Sequence, residues 1–355
     1  MRYYMNKNDS CNNDSFSSYN LAIVGATGAV GKEIIHCLEH ADFKVKNLKL
    51  FSSNKSVGKE IFFNNQSISV EEITINSFKD IDIVFFASSN DVTNLYYKQA
   101  LKDGVRIIDN SSFFRLMKEI PLIVPEVNGN LISKESVIIA NPNCVAAILS
   151  LVLYPLHKRI PIKKLSITTY QAASGAGEEA MRELIESTRA FIQNENFSPN
   201  VFKFNYAFNL FSHDSKVDAS NGYNSEELKI IEEIKKIFLD SQLLIGVTCI
   251  RVPVLRAHTM VVNIMFENEF EECTAREILT KTNGVKVIDD RLNNYFPMPS
   301  EASRNEDVLV GRIRRDISDP TNKTLSLLIS GDQLLKGAAL NAVQIASLLL
   351  SVMSK

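Results

Sequence analysis

The chain of 355 residues predicts an α/β fold in two domains: a doubly wound parallel sheet first, then an α+β domain on a mostly antiparallel sheet. Its length exceeds the roughly 150 residues of a typical single domain. Strand-like and helix-like stretches alternate up to about Asn141, the pattern of a parallel sheet. From Pro142 onward, long strand-like runs are separated by amphipathic helices instead.

The elements follow in order. Asn20 to Val24 (NLAIV) is a short aliphatic run ending at a glycine cluster, and Glu33 to Glu39 follows with helical spacing. Strands are expected at Leu48 to Phe51, Ile81 to Ala87 and Val105 to Asp109, with a helix at Thr93 to Lys102. Cys144 to His157 reads as a buried helix closed by Pro155. Strands then follow at Leu165 to Gln171, Gly246 to Val254 and Met260 to Phe266, and amphipathic helices at Glu178 to Gln193 and Ser225 to Leu239. Asn194 to Asn224 shows no clear period. The last helix, Lys336 to Val352, is expected to pack back on the first domain. The expected division is a nucleotide-binding domain at 20–142 and 332–355, a second domain at 143–331, and a polar, disordered tail at 1–19.

Charge and cysteine content narrow the function. With 39 Lys+Arg against 41 Asp+Glu the net charge is −2, so no basic field draws the chain to nucleic acid or anionic lipid. No run of about 18 apolar residues suggests a membrane span. Cys11, Cys37, Cys144, Cys249 and Cys273 show neither CxxC pairing nor metal-ligand spacing. Neither a disulfide framework nor a metal centre is expected, and a reducing cytoplasm fits. Small-molecule chemistry is the remaining class.

Gly25, Ala26, Thr27, Gly28, Ala29, Val30 and Gly31 read GATGAVG, between a strand and a helix. Glycines there let the backbone approach a pyrophosphate, which the helix N-terminus then meets with free N–H groups and its dipole. The residues after the second strand include Ser52, Ser53, Lys55 and Ser56 and no acid to hold a ribose 2′-hydroxyl. Hydroxyls and a cation suit a 2′-phosphate, so NADP is expected over NAD. In NPNCV (Asn141 to Val145), Cys144 opens a helix, where the dipole is expected to lower its pKa and its own N–H to help form an oxyanion hole.

GATGAVG, DNSSFFR (Asp109 to Arg115), VPEVN (Val124 to Asn128), NPNCV, TYQAASGAG (Thr169 to Gly177), RVPVLRAH (Arg251 to His258), VGRIR (Val310 to Arg314) and LLKGAALNAVQIA (Leu334 to Ala346) occur in that order. Their order and spacing resemble the aspartate-semialdehyde dehydrogenase family over nearly everything after residue 20. The resemblance implies a Rossmann-type NADP-binding domain and a catalytic and dimerisation domain. It implies Cys144 as nucleophile beside Asn143, His258 as general acid/base, and Gln171 as the group orienting the acyl carbon. Arg115 and Lys229 match phosphate ligands, Arg251 the clamp on the α-carboxylate, and Glu226 or its neighbour Glu227 the acid receiving the α-ammonium. Ser174, Gly175 and Asn341 match cofactor contacts. His213 falls outside the chemistry by the same likeness. Val145, Leu340 and the pair Asp332-Gln333 depart from the family's usual residues.

The implied reaction is NADPH-dependent reduction of L-aspartyl 4-phosphate to L-aspartate 4-semialdehyde and phosphate through a cysteine thioester, serving lysine (through diaminopimelate), threonine and methionine synthesis. A cytoplasmic homodimer or homotetramer is implied too. The alternatives are N-acetyl-γ-glutamyl-phosphate reductase, whose substrate has no free ammonium, and, from a different class, a non-catalytic NADP-binding redox sensor.

Overall fold

Residues 18–354 are described by the computed structural model. The expected tail at 1–19 lies outside them up to position 17, as does Cys11. Ser18 and Tyr19 instead begin the first strand, where the Tyr19 ring packs edge-on against Phe43 at 6.5 Å.

The first part of the chain runs β1 (Ser18–Val24), α1 (Ala29–Leu38), β2 (Lys44–Ser52), β3 (Glu60–Phe63), β4 (Gln66–Glu72), β5 (Ile83–Phe86), α2 (Asn90–Lys102), β6 (Arg106–Asp109), α3 (Pro125–Asn128) and β7 (Ile138–Ala140). Its strands form one sheet in the order β3-β4-β2-β1-β5-β6-β7, parallel except for the β3–β4 hairpin. The strand order reverses at β1, the switch point where open α/β sheets bind ligands. Side chains alternate between two cores: Leu21 and Ile23 face α1, while Ala22 and Val24 face the opposite side. Burial on both faces explains why β1 and β5 read as unbroken apolar runs.

The chain continues through α4 (Cys144–Arg159), β8 (Ile162–Gln171), α5 (Glu178–Ile192), β9 (Phe211–Ser212), α6 (Ser225–Phe238), β10 (Leu244–Arg251), β11 (His258–Phe266), α7 (Glu272–Thr280), β12 (Val285–Val287), α8 (Pro299–Ala302), β13 (Val308–Arg315), β14 (Thr324–Gly331) and α9 (Leu340–Met353). The second sheet has the order β12-β13-β14-β11-β8-β10-β9, with all pairings but β12–β13 and β8–β10 antiparallel. Helix α4 is buried from Val145 to Leu153 and shares one core with inward residues of both sheets, including Val84, Phe86, Ile167 and Val262. A helix apolar all round can be stable only when so enclosed.

Two expectations need correction. Pro155 does not close α4, which runs to Arg159. Proline removes one N–H from the ladder, but Leu156 is fully buried beyond it and His157 Nδ1 accepts the Ile162 N–H at 3.0 Å, so the last turn stays anchored. A bilayer-length apolar stretch does occur, Leu335–Met353, with 67% of its most apolar window buried in the protein. It packs as a core helix against the first sheet, as expected for the returning C-terminal segment: Val343, Ile345 and Leu349 join the core formed by Leu21, Ile34 and Ile83. Strands β3, β4 and β12 to β14 and helix α7 went unread in the sequence.

The glycine turn makes a testable demand. A Cβ on Gly31 would lie 2.2 Å from the Gly25 carbonyl oxygen and 2.8 Å from Ala26 Cα, whereas one on Gly28 would meet only the Gly25 oxygen at 3.4 Å. Gly31→Ala is expected to cost about 1–3 kcal/mol in thermal unfolding by forcing α1 off the turn, and Gly28→Ala less. Equal or reversed losses would contradict this packing.

Candidate active site

The carboxyl ends of the two sheets face each other across a cavity of about 480 Å³. The segments that follow β5, β6 and β7 supply Ser88, Asn110 and Cys144, and the ends of β8 and β10 supply Gln171 and Arg251. Gln171 and Arg251 are paired in register on neighbouring parallel strands, so both emerge at the same edge. The irregular segment after β6 is braced by Asp109, a buried carboxylate that accepts from Thr93 Oγ1 at 3.0 Å and from Ser111 Oγ at 2.7 Å.

At one end lies the glycine turn. Gly25 has φ +90°, and a Cβ there would come 2.4 Å from the Ala87 carbonyl. Its N–H and that of Ala26 both donate to Phe51 O, at 2.8 and 3.1 Å, tying the turn to the end of β2. Ala29 and Val30 line the cavity at the N-terminus of α1, whose first turn carries no acid. A turn without room for side chains, opening on a helix N-terminus, fits a dinucleotide pyrophosphate. The Thr27 hydroxyl lies 3.3 Å from that of Ser52 and donates to that of Ser56 at 3.4 Å, while Ser53 and Lys55 are exposed beside them. The Thr27, Ser52 and Ser56 hydroxyls thus meet at the end of β2, where Ser52 pairs with Glu72 of β4.

Cys144 is the first residue of α4 and sits half-buried at the cavity wall. Asn143 caps the helix: its Oδ1 accepts from Val145 N at 2.9 Å and Ala146 N at 3.3 Å, leaving the Cys144 N–H outside the cap. Two glutamates of α6 hold Asn143 in turn. Glu226 Oε1 accepts from its Nδ2 at 2.8 Å, and Glu233 Oε2 from its N–H at 2.5 Å. Glu226 also accepts from Gln171 Nε2 at 3.3 Å. The alternative acid, Glu227, is used elsewhere, closing a capping box with Asn224 and accepting the Cys249 N–H at 2.9 Å.

The expectation of an acidified thiol is corrected. Burial, reinforced by Glu226, pushes Cys144 up to about 12 against the opposing pull of Arg115, the Val145 N–H and Arg251. The helix dipole is outweighed because a thiolate here would give up water next to a carboxylate. His258 is fully buried, and burial together with Arg251 lowers it well below its ordinary value, so it stands neutral. Its Nδ1 accepts from Ala172 N at 3.0 Å, and its Nε2 has no protein partner. Gly175 separates the ring from the cavity: a Cβ there would lie 3.1 Å from His258 Nε2 and 3.2 Å from Arg251 Nη1.

Charged groups complete the wall. Arg251 donates from Nε to Asp214 at 2.8 Å and lies over the Phe202 ring. Arg115 donates to Glu233 at 3.2 Å and to Asn110 O at 2.7 Å, and Lys229 is half-buried beside them. Burial works against ionisation of Glu226, yet His213, the Asn143 amide and Lys229 hold it below the usual carboxylate range.

Sequence reasoning missed several wall residues and misplaced others. His213, expected only to stand outside the chemistry, lines the cavity, and Asp214 braces Arg251; the adjacent His-Asp pair was the available signal. Gln333 lines the cavity and reaches Ser174 Oγ and Ala257 N. Asn341 does not line it: its amide donates to Asn141 Oδ1 and Ile123 O and it accepts from Lys336. Among the departures, Val145 is core and Leu340 packs against the first sheet's core.

Residues 20–135 match the family model described as semialdehyde dehydrogenase, NAD binding domain, and residues 153–336 that described as semialdehyde dehydrogenase, dimerisation domain. Aspartate-semialdehyde dehydrogenase of Synechocystis sp. is 42% identical over 333 residues, which cover 94% of this chain and 98% of that protein. The enzyme of the same name from Campylobacter jejuni is 43% identical over 341 residues, with 94% and 98% covered. The crystal structure of aspartate semialdehyde dehydrogenase II from Vibrio cholerae, complexed with ASA, superposes with a TM-score of 0.91 at 34% identity, covering 94% of this chain and 99% of that one. A thiol at a capped helix N-terminus, a dinucleotide turn and both domains matched in sequence order lead to one assignment: the chain belongs to the aspartate-semialdehyde dehydrogenase family, a family of oxidoreductases.

Proposed function

We propose that the chain reduces L-aspartyl 4-phosphate to L-aspartate 4-semialdehyde and phosphate with NADPH, through a thioester on Cys144. The observation that carries this reading is the convergence of Cys144, Gln171, Arg115, Lys229, Arg251 and Glu226 on one cavity. A zwitterionic acyl phosphate needs a cation for its carboxylate, an acid for its ammonium and cations for its phosphate. Arg251, Glu226, and the pair Arg115 and Lys229 supply these in turn. Glu226, held ionised by its neighbours, favours a free ammonium over the acylated amine of N-acetyl-γ-glutamyl phosphate.

Because thiol and imidazole both rest neutral, proton transfer accompanies attack. With Nδ1 accepting the Ala172 N–H, neutral His258 carries its proton at Nε2 and donates a hydrogen bond from there to the acyl oxygen as sulfur closes on the acyl carbon, which Gln171 orients, while the Cys144 proton passes to the departing phosphate. The Cys144 N–H, left out of the Asn143 cap, stabilises the developing oxyanion. Phosphate departs between Arg115 and Lys229, leaving the acyl group on sulfur. NADPH, when bound along GATGAVG, supplies a hydride to that carbonyl carbon. As the thiohemiacetal collapses and frees the aldehyde, the expelled sulfur accepts a hydrogen bond from the His258 Nε2–H and takes a proton from solvent to restore the thiol.

The group Thr27, Ser52, Ser53, Lys55 and Ser56 supports NADP over NAD, and Ser174 and Gly175 face the same cavity as the glycine turn. We assign 20–142 with 332–355, extended to Ser18, to NADP binding, and 143–331 to catalysis and dimerisation. A cytoplasmic homodimer or homotetramer, in the biosynthesis of lysine, threonine and methionine, completes the reading; the four free thiols among the described residues suit that compartment.

The direct test is phosphate-dependent reduction of NADP with aspartate semialdehyde: wild type turns over, and Cys144→Ser falls to background, whereas appreciable turnover of that variant would exclude covalent catalysis. Turnover with NADPH is expected to exceed that with NADH at equal concentration, and the reverse preference would defeat the cofactor assignment. Because the free enzyme's thiol ionises near 12, its inactivation by iodoacetamide should climb roughly tenfold per pH unit from pH 7 to 9. A plateau near neutrality would reveal a preformed thiolate and remove the need for proton transfer during attack.

A further inference from the structure

Resting on the assignment of Arg115 as a phosphate receptor, we infer that Lys236 and Glu233 of α6 are positioning residues that preset this arginine, so that affinity for the phosphoryl group is controlled from one face of that helix. Glu226, Lys229, Glu233 and Lys236 recur at alternating intervals of three and four, and so share that face. Glu226 and Lys229 reach the cavity directly. The other two act on Arg115.

Arg115 lies in an irregular segment, with neither strand nor helix to fix it between β6 and α3. Lys236 supplies the missing support. Its Nζ donates to the carbonyl oxygens of Arg115 at 2.8 Å, Met117 at 2.6 Å and Ile120 at 2.7 Å. An ammonium has three protons and no acceptor, so these carbonyls use it fully and close the segment into a turn. Glu233 fixes the guanidinium end: its Oε1 accepts from Nη1 at 3.2 Å, while Nη2 donates to Asn110 O at 2.7 Å. Arg115 Nε remains buried without a protein partner on a residue that lines the cavity. Buried donors are normally met, and an anion in the cavity is the acceptor this one lacks. Two nitrogens tied to protein hold the third in place before the anion arrives, which reduces the ordering cost of binding.

The test varies inorganic phosphate in the oxidative direction, with aspartate semialdehyde and NADP saturating, in wild type, Lys236→Met, Glu233→Gln and Arg115→Lys. Lys236→Met keeps the packing of the stem and is expected to raise the phosphate KM about tenfold. The KM values for aspartate semialdehyde and NADP should stay within about twofold, and kcat within about threefold. Glu233→Gln should raise the phosphate KM as well but also lower kcat, because Glu233 holds the Asn143 N–H too, and Lys236→Gln, with the same selective rise expected, stands in for Lys236→Met if that variant does not fold. A phosphate KM unchanged in both variants, or all three KM values rising together, overturns the proposal while leaving the role of Arg115 intact. An unchanged phosphate KM in Arg115→Lys defeats the assignment of Arg115 itself, and the positioning role with it.

Discussion

The site depends on how Asn143 is held. Asn143 caps α4, and its four polar groups are all engaged: Oδ1 with the Val145 and Ala146 amides, Nδ2 with Glu226, the backbone N–H with Glu233 and the carbonyl with the Ala147 N–H. Cys144 is the next residue, so it inherits whatever precision that arrangement has. Because α4 also lies in the core shared by the two sheets, a shift of the cap would displace both the cavity and the packing beneath it.

The surroundings of Cys144 show competing electrostatic terms resolved by magnitude. A helix N-terminus offers a thiolate a modest attraction that falls off within a turn. Removing the charge from water, next to a carboxylate, costs more, and the thiol stays protonated. The same dryness keeps His258 neutral.

The two halves of the protein meet through ionic and polar ties around this cavity. Arg256 spans them, donating to Glu33 on α1 at 2.5 Å and to Asp332 beyond β14 at 2.6 Å. The return of the chain to the first sheet begins with a π-helical turn, Leu335–Ala339, which brings Gly337 so close to Cys144 that a Cβ would lie 2.7 Å from the cysteine's own. Lys336 in that turn is buried and fully engaged by Glu126, Asn341 and Gln344. Asn341 in turn holds Asn141, and Asn141 holds Asn110 at the cavity wall. The asparagine expected to touch cofactor thus works one layer behind it.

What the sequence by itself determined were features whose physical cause is local. Close approach at Gly25 and Gly31, a helix opening at Cys144 and unbroken apolar runs in the central strands all arise within a few residues, so they leave a readable pattern. The strands from β12 to β14 were not legible in this way, because their identity as strands rests on pairing with distant partners. Only the tertiary structure decided which of Glu226 and Glu227 faces the cavity, that His213 joins the wall, that Asp214, Glu233 and Lys236 brace the arginines, and that burial beside Glu226 pushes the Cys144 thiol up. Each is a contact or a burial between segments far apart in the chain. Desolvation and ion pairing depend on what folding brings together, and residue order alone does not encode them in any local pattern.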